Sequence, residues 1–195
     1  KFEGLYPYLS AIAEKNNKDF LDYDVAEAYW IGNKLLDNFN SEDVKSIIKK
    51  LMERGLPNSI GKELIQKLPK GMVPHHNFNV LYVGVGRTAG TVETTIRNMD
   101  NCRISVGKVV DVSHGNLAVK TNLLKKEKNQ LVLKENEIKT AMYIPELLKD
   151  VRKNDTVALH WGFTCMKLSE IQKSNLNKHT DKIIKVINQS GFSLS

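Results

Sequence analysis

The chain has 195 residues, of which 41% are apolar and 26% charged, a balance that fits an ordinary folded protein and excludes a disordered or collagen-like one. No apolar run approaches the roughly 18 residues of a membrane-spanning helix, so a membrane protein is not expected. Lysine and arginine total 29 against 22 acids, a net charge of +7, but the excess is diffuse, and its densest groups, Lys125-Lys126-Glu127-Lys128 and Lys49-Lys50, lack the interleaved aromatics of an RNA-binding face.

Over residues 1–72 the apolar period is helical. Leu5, Tyr8 and Ile12 share a short face. Asp22 or Asp24 then caps a helix carrying Val25, Ala28, Tyr29, Ile31, Gly32, Leu35, Leu36 and Phe39, whose wide apolar face implies burial. Ser41 followed by Glu42 and Asp43 starts the next helix, with acids in the first turn matching its dipole and a stripe of Val44, Ile47, Ile48 and Leu51 running to Gly55. Pro57-Asn58-Ser59 opens a shorter helix with Leu64, Ile65 and Leu68, stopped by Pro69-Lys70-Gly71. A small helical domain is expected here.

Residues 73–100 read as a strand-loop-helix connector. Phe78, Val80 and Tyr82 alternate with Leu81 and Val83 as in a strand, and a helix through Val92, Ile96 and Met99 follows. The intervening Gly84-Val85-Gly86-Arg87-Thr88-Ala89-Gly90 invites a nucleotide reading. Its spacing fits neither the dinucleotide fingerprint nor the P-loop, so a plain turn is expected.

From residue 101 to 195 the pattern is β and then helical. Strands are expected at Ile104 to Val112, Leu117 to Leu123, Gln130 to Glu137, Ile138 to Ile144 and Thr156 to Trp161, with a turn at His114-Gly115-Asn116. A helix closes the chain, from about Ser169 through Ile171, Leu176, His179, Ile183, Ile184 and Ile187 to Gly191. Short, evenly spaced strands suggest a small OB-like barrel. The expected fold class is therefore α+β, an N-terminal helical domain followed by a small β-barrel with a C-terminal helix.

Two cysteines, Cys102 and Cys165, are too few for a structural zinc motif of closely spaced cysteines, and free thiols in a reducing compartment are the simpler expectation. No charged-then-apolar leader follows the first residue, so a cytoplasmic setting is expected.

Two segments carry a resemblance. Cys102-Arg103-Ile104-Ser105-Val106-Gly107-Lys108-Val109-Val110, and later Val151-Arg152-Lys153-Asn154-Asp155-Thr156-Val157-Ala158-Leu159-His160-Trp161-Gly162-Phe163-Thr164 with its trailing helix, resemble the HypC/HupF family of hydrogenase maturation chaperones. Those are small β-barrels whose N-terminal strand reads Cys-x-x-x-Pro-Gly-Lys-Val and whose late strand reads Gly-Asp-x-Val-x-Val-His-x-Gly-Phe-Ala. In this chain Val106 stands for the family's proline, Asn154 for its glycine, and the cysteine is internal rather than N-terminal. The whole chain, including Pro74-His75-His76-Asn77-Phe78, also resembles an uncharacterised bacterial and archaeal family with an extra N-terminal helical domain.

The resemblance implies a protein that acts without catalysis. With a HypD-like partner it would hold an iron carrying carbon monoxide and cyanide and deliver it to the large-subunit precursor of NiFe-hydrogenase. It maps the essential cysteine onto Cys102 and the late-strand histidine onto His160. The residue types suit that work, because a thiolate is a soft, strongly donating ligand for low-spin iron and an imidazole can ligate beside it or bond its sulfur.

His75, His76 and Cys165 are further candidates near that pair. Adjacent histidines on a strand face opposite sides, so only one of His75 and His76 would join a given site. His114 reads as a hairpin residue, His179 as surface, and Trp30, Trp161 and Phe163 as core or interface aromatics. Set against these readings, Cys102 could simply be a small buried hydrophobe. Two alternatives to the chaperone stand: a zinc- or iron-dependent enzyme with His75 or His76, Cys102 and His160 as ligands, and, last, a basic nucleic-acid-binding barrel.

Overall fold

A computed structural model describes residues 4–87 and 92–191. Within them, α1 (Tyr6–Asn16) carries Pro7 in its first turn, where a missing N–H breaks no helical bond, and ends as Asn17 turns left-handed. α2 (Tyr23–Trp30) is shorter than the helix expected through Phe39. At Gly32 the chain takes φ +92°, and the ring of His179 stands 2.2 Å from where a Cβ would be, so any larger residue would collide with it. Leu35 and Leu36 reach the core from a single 3-10 turn instead.

α3 (Ser41–Met52) is capped one residue earlier than Ser41. The Asn40 side chain accepts from the Glu42 and Asp43 N–H groups, and the Asp43 carboxylate accepts from the Asn40 N–H, a reciprocal cap of about 1 kcal/mol. α4 (Asn58–Gln66) follows, and its Leu64 and the four buried apolar residues of α3 pack with Tyr8, Ile12, Val25 and Leu36 in the largest core.

The strand expected at Phe78 to Val83 is helical. One turn, α5 (His76–Phe78), runs directly into a π-helical segment over Asn79–Gly84. Phe78, Val80, Leu81, Tyr82 and Val83 are all fully buried, and a short apolar run buried on every side has no period that separates strand from helix. The glycine loop expected next extends over residues 88–91, outside the described residues. α6 (Ile96–Cys102) then starts at Thr95, whose hydroxyl accepts from the Asn98 N–H.

The sheet has β1 (Ser105–Ser113), β2 (Asn116–Glu127), β3 (Gln130–Met142), β4 (Thr156–His160) and β5 (Phe163–Lys167). The two strands expected over Gln130 to Ile144 are one long strand, and β5 is additional. The strands close in a ring, β1-β2-β3-β5-β4, but β3 meets β5 only through one parallel pair, Met142 with Phe163. It is a mixed sheet curled into a ring, not the regular OB-like barrel expected. Val109, Leu117, Val119, Ala141, Val157 and Leu159 fill its interior.

α7 (Glu170–Gln189) is capped by Ser169 with Gln172. Its Ile183, Ile184 and Ile187 join the core of α1–α4, together with Leu124 and Leu131 of the β2–β3 hairpin. Fully burying each such side chain is worth about 1.5–3 kcal/mol. A separate apolar cluster, Ile31, Ile104, Ala158, Leu168 and Leu176, lies between α2, α7 and the outer face of β4.

Candidate metal centre

Cys102 is the last residue of α6, and Asp100 and Arg103 on either side of it are tied down. Asp100 accepts from Arg103 Nε (3.1 Å) and Nη2 (2.9 Å), from the Leu124 N–H (2.8 Å) and from Lys139, while Arg103 also donates to the Asn122 carbonyl. Burial pushes the Asp100 carboxyl up, but Arg103, the Leu124 N–H and Lys139 outweigh it and hold it below its ordinary value. This nearly buried ion pair fastens the end of α6 to the β2–β3 hairpin.

From the other side the segment is gripped by two adjacent residues of α5. His76 Nε2 lies 2.9 Å from the Cys102 carbonyl. Asn77, fully buried, accepts from the Ile104 N–H (2.8 Å) and donates to the Ile104 carbonyl (3.0 Å) and to Thr180 of α7 (2.9 Å). A carbonyl can only accept, so Nε2 of His76 carries the proton and Nδ1 accepts from the Tyr29 hydroxyl at 3.0 Å.

His160 ends β4 and enters a two-residue turn. Trp161 (φ 50°) and Gly162 (φ 77°) are both left-handed, as a tight hairpin requires, and His160 pairs with Phe163 across it. Nothing lies within 4 Å of a Cβ placed on Gly162, so its glycine serves the backbone angle and not space. The same angle at Trp161 costs roughly 1–2 kcal/mol. The Trp161 N–H donates to the Asn101 carbonyl at 2.6 Å, which sets the turn against the residue preceding Cys102.

These supports bring three side chains together. The Cys102 sulfur is 3.8 Å from His76 Nε2 and 3.9 Å from His160 Nε2, and the three donor atoms lie within 4.8 Å of one another. Trp30 covers the group, its ring 4.4 Å from that of His76 and 5.6 Å from that of His160. Burial pushes the Cys102 thiol up to about 11, with a hydrogen bond from the Trp161 side chain pulling the other way. Burial also takes His76 down to about 3 and lowers His160, so without a metal the group is a neutral thiol between neutral imidazoles.

The donor set fits a transition metal. A tetrahedral ion with sulfur at about 2.3 Å and nitrogen at about 2.0 Å separates those atoms by about 3.5 Å, a few tenths less than observed here. Thiolate with imidazoles suits zinc or iron, and three protein donors leave a position open. His76 would need its proton on Nδ1, with the Tyr29 hydroxyl turned to accept it.

The other candidates lie elsewhere. His75 caps α5 by accepting from the Asn77 N–H, and its ring stacks on His179 at 5.5 Å, so it turns away from Cys102. Cys165 is exposed on β5 with its sulfur 3.8 Å from the Phe163 carbonyl. His179, expected on the surface, is buried with 4% exposure because it fills the space above Gly32. His114 is exposed in the β1–β2 turn. Asn77 escaped the sequence reading; it stands between the histidine pair and Phe78, where no local period marks an amide as buried.

Fold and site together define an α+β chain with a Cys-His-His cluster at the junction of helices and sheet. No helix among the described residues is long and apolar enough to cross a membrane. The chain belongs to DUF6390, a family of unknown function, which it matches over residues 1–193. Neither curated proteins nor solved structures yield a match.

Proposed function

We propose that this protein is a HypC-like accessory factor of NiFe-hydrogenase maturation, acting in the cytoplasm. Cys102 holds the iron–cyanide–carbonyl unit as a thiolate, His160 and His76 ligate beside it or bond its sulfur, and the partners are a HypD-like protein and the hydrogenase large-subunit precursor. The observation that carries this reading is the approach of Cys102 to His160, residues that the resemblance pairs and that lie 3.9 Å apart. The surroundings support it too: His76 is buried and Cys102 and His160 are largely covered, and a shielded thiolate favours an iron carrying π-acceptor ligands. Anaerobic purification from the host with infrared spectroscopy and mass spectrometry of co-purified proteins tests it. Carbon monoxide and cyanide bands with a maturation partner are expected; their absence, with hydrogenase activity unchanged in a Cys102→Ala strain, would overturn it.

A second reading, a zinc- or iron-dependent enzyme, draws on the third donor, His76, and on the cleft beside His160. Turnover by metal-loaded protein that Cys102→Ser abolishes, with no bound carbonyl or cyanide, would favour it.

A further inference from the structure

Against His160, on the side of α2 and β5, lies a cleft of about 300 Å³. Trp30, Ile31, Ile104, Ala158 and Met166 give it an apolar wall, and Ala26, half-buried on α2, also lines it. Trp30 is held edge-on by Tyr29 at 5.0 Å and packed on His76, so this wall is fixed before anything binds.

The one carboxylate lining the cleft has neutral partners, and no lysine or arginine among the described residues lines it. The Glu27 carboxylate accepts from Gln172 Nε2 at 2.7 Å and Asn33 Nδ2 at 3.1 Å. An anionic occupant would lose water and face the Glu27 carboxylate with no cation in the lining to pair it, at a cost that apolar contact does not recover. An aromatic occupant would meet the Trp30 ring and the sulfurs of Met166 and Cys165, both favourable contacts for a π face or edge. The volume is roughly twice the ~150 Å³ void that takes benzene, room for one ring or two fused ones.

We propose that this cleft binds a small aromatic molecule that carries no negative charge, of one or two fused rings, between Trp30 and Met166 and beside His160. As a subsite of a metal centre it rests on the function proposed above; as a binding site it does not.

The test is calorimetric titration of the whole chain with indole and with anionic indole-2-carboxylate, metal-free and after one equivalent of zinc. Saturable 1:1 binding of indole is expected, at least about tenfold tighter than the carboxylate, and weakened about tenfold or more in Ala26→Leu, which adds bulk to the cleft lining from a half-buried position. Circular dichroism and the unfolding midpoint show that the variant is folded, and Ala26→Ser, which leaves the cleft open, retains binding. No indole binding at its solubility limit, or equal affinity in Ala26→Leu and wild type, overturns the proposal. Indole binding without zinc uptake upholds the cleft and counts against the metal centre; zinc uptake without indole binding does the reverse.

Discussion

The Cys102 sulfur lies 3.9 Å from Nε2 of His160, 58 residues further along the chain, although the two sit on different elements. Their approach depends on a relay of backbone contacts: His76 to the Cys102 carbonyl, Asn77 to both backbone groups of Ile104, and Trp161 to the Asn101 carbonyl. The predictions below separate the residues that build this approach from those that would use it.

Tyr29→Phe removes the hydroxyl that bonds His76 Nδ1 while keeping the ring that packs on Tyr8 and Trp30. A ligating imidazole depends on the partner of its other nitrogen, so metal affinity, measured by competition with a chromophoric chelator, should fall roughly 10–100-fold. The loss leaves a buried nitrogen without a partner and should cost about 1–3 kcal/mol of stability. Unchanged affinity would show that His76 is not a ligand.

Asn77→Leu keeps the volume of a fully buried side chain and deletes its bonds to Ile104 and Thr180. Two backbone groups of Ile104 are then stranded, each worth about 1–3 kcal/mol, so urea unfolding should shift by about 3 kcal/mol or more with an unchanged slope. Metal binding should weaken in parallel, because the Cys102 segment loses its anchor. A shift below about 1 kcal/mol would contradict this role.

Acid should destabilise the fold through a buried histidine. His179 is buried between His75 and Gly32 with Lys178, Lys182 and Asp37 as its charged neighbours, and burial lowers its pKa to about 4. Unfolded, it takes up a proton below about pH 6.5. Between those values the unfolded state binds the extra proton, so stability declines as pH falls from about 6.5 to about 4, by about 3 kcal/mol for this residue. His179→Gln should flatten that part of the stability–pH curve; an unaltered slope would refute the assignment.

How much of this could be read from the sequence differs by element. Helices α3 and α4 were readable from their stripes and start signals, as was α7, although the cap of α3 is Asn40 rather than Ser41. The segment from Phe78 to Gly84 was not, because complete burial erases the period, and β5 was hidden by its shortness behind the turn at Trp161-Gly162. At the candidate site, Cys102 and His160 came from the resemblance. The choice between His75 and His76 came only with the helix, which points one ring at His179 and the other at Cys102. Asn77 and Tyr29 act through hydrogen bonds across 27 and 47 residues, which no local pattern encodes.

Cobalt(II) titration of the anaerobic, metal-free protein tests the central claim most directly, because a cobalt–thiolate bond has its own ultraviolet charge-transfer band and tetrahedral cobalt its own visible bands. The account predicts one equivalent bound with both signatures, loss of the charge-transfer band in Cys102→Ser, and weakened binding in His160→Ala and His76→Ala but not in Cys165→Ser. No cobalt binding by the folded wild-type protein, or the same spectrum in Cys102→Ser, would contradict it.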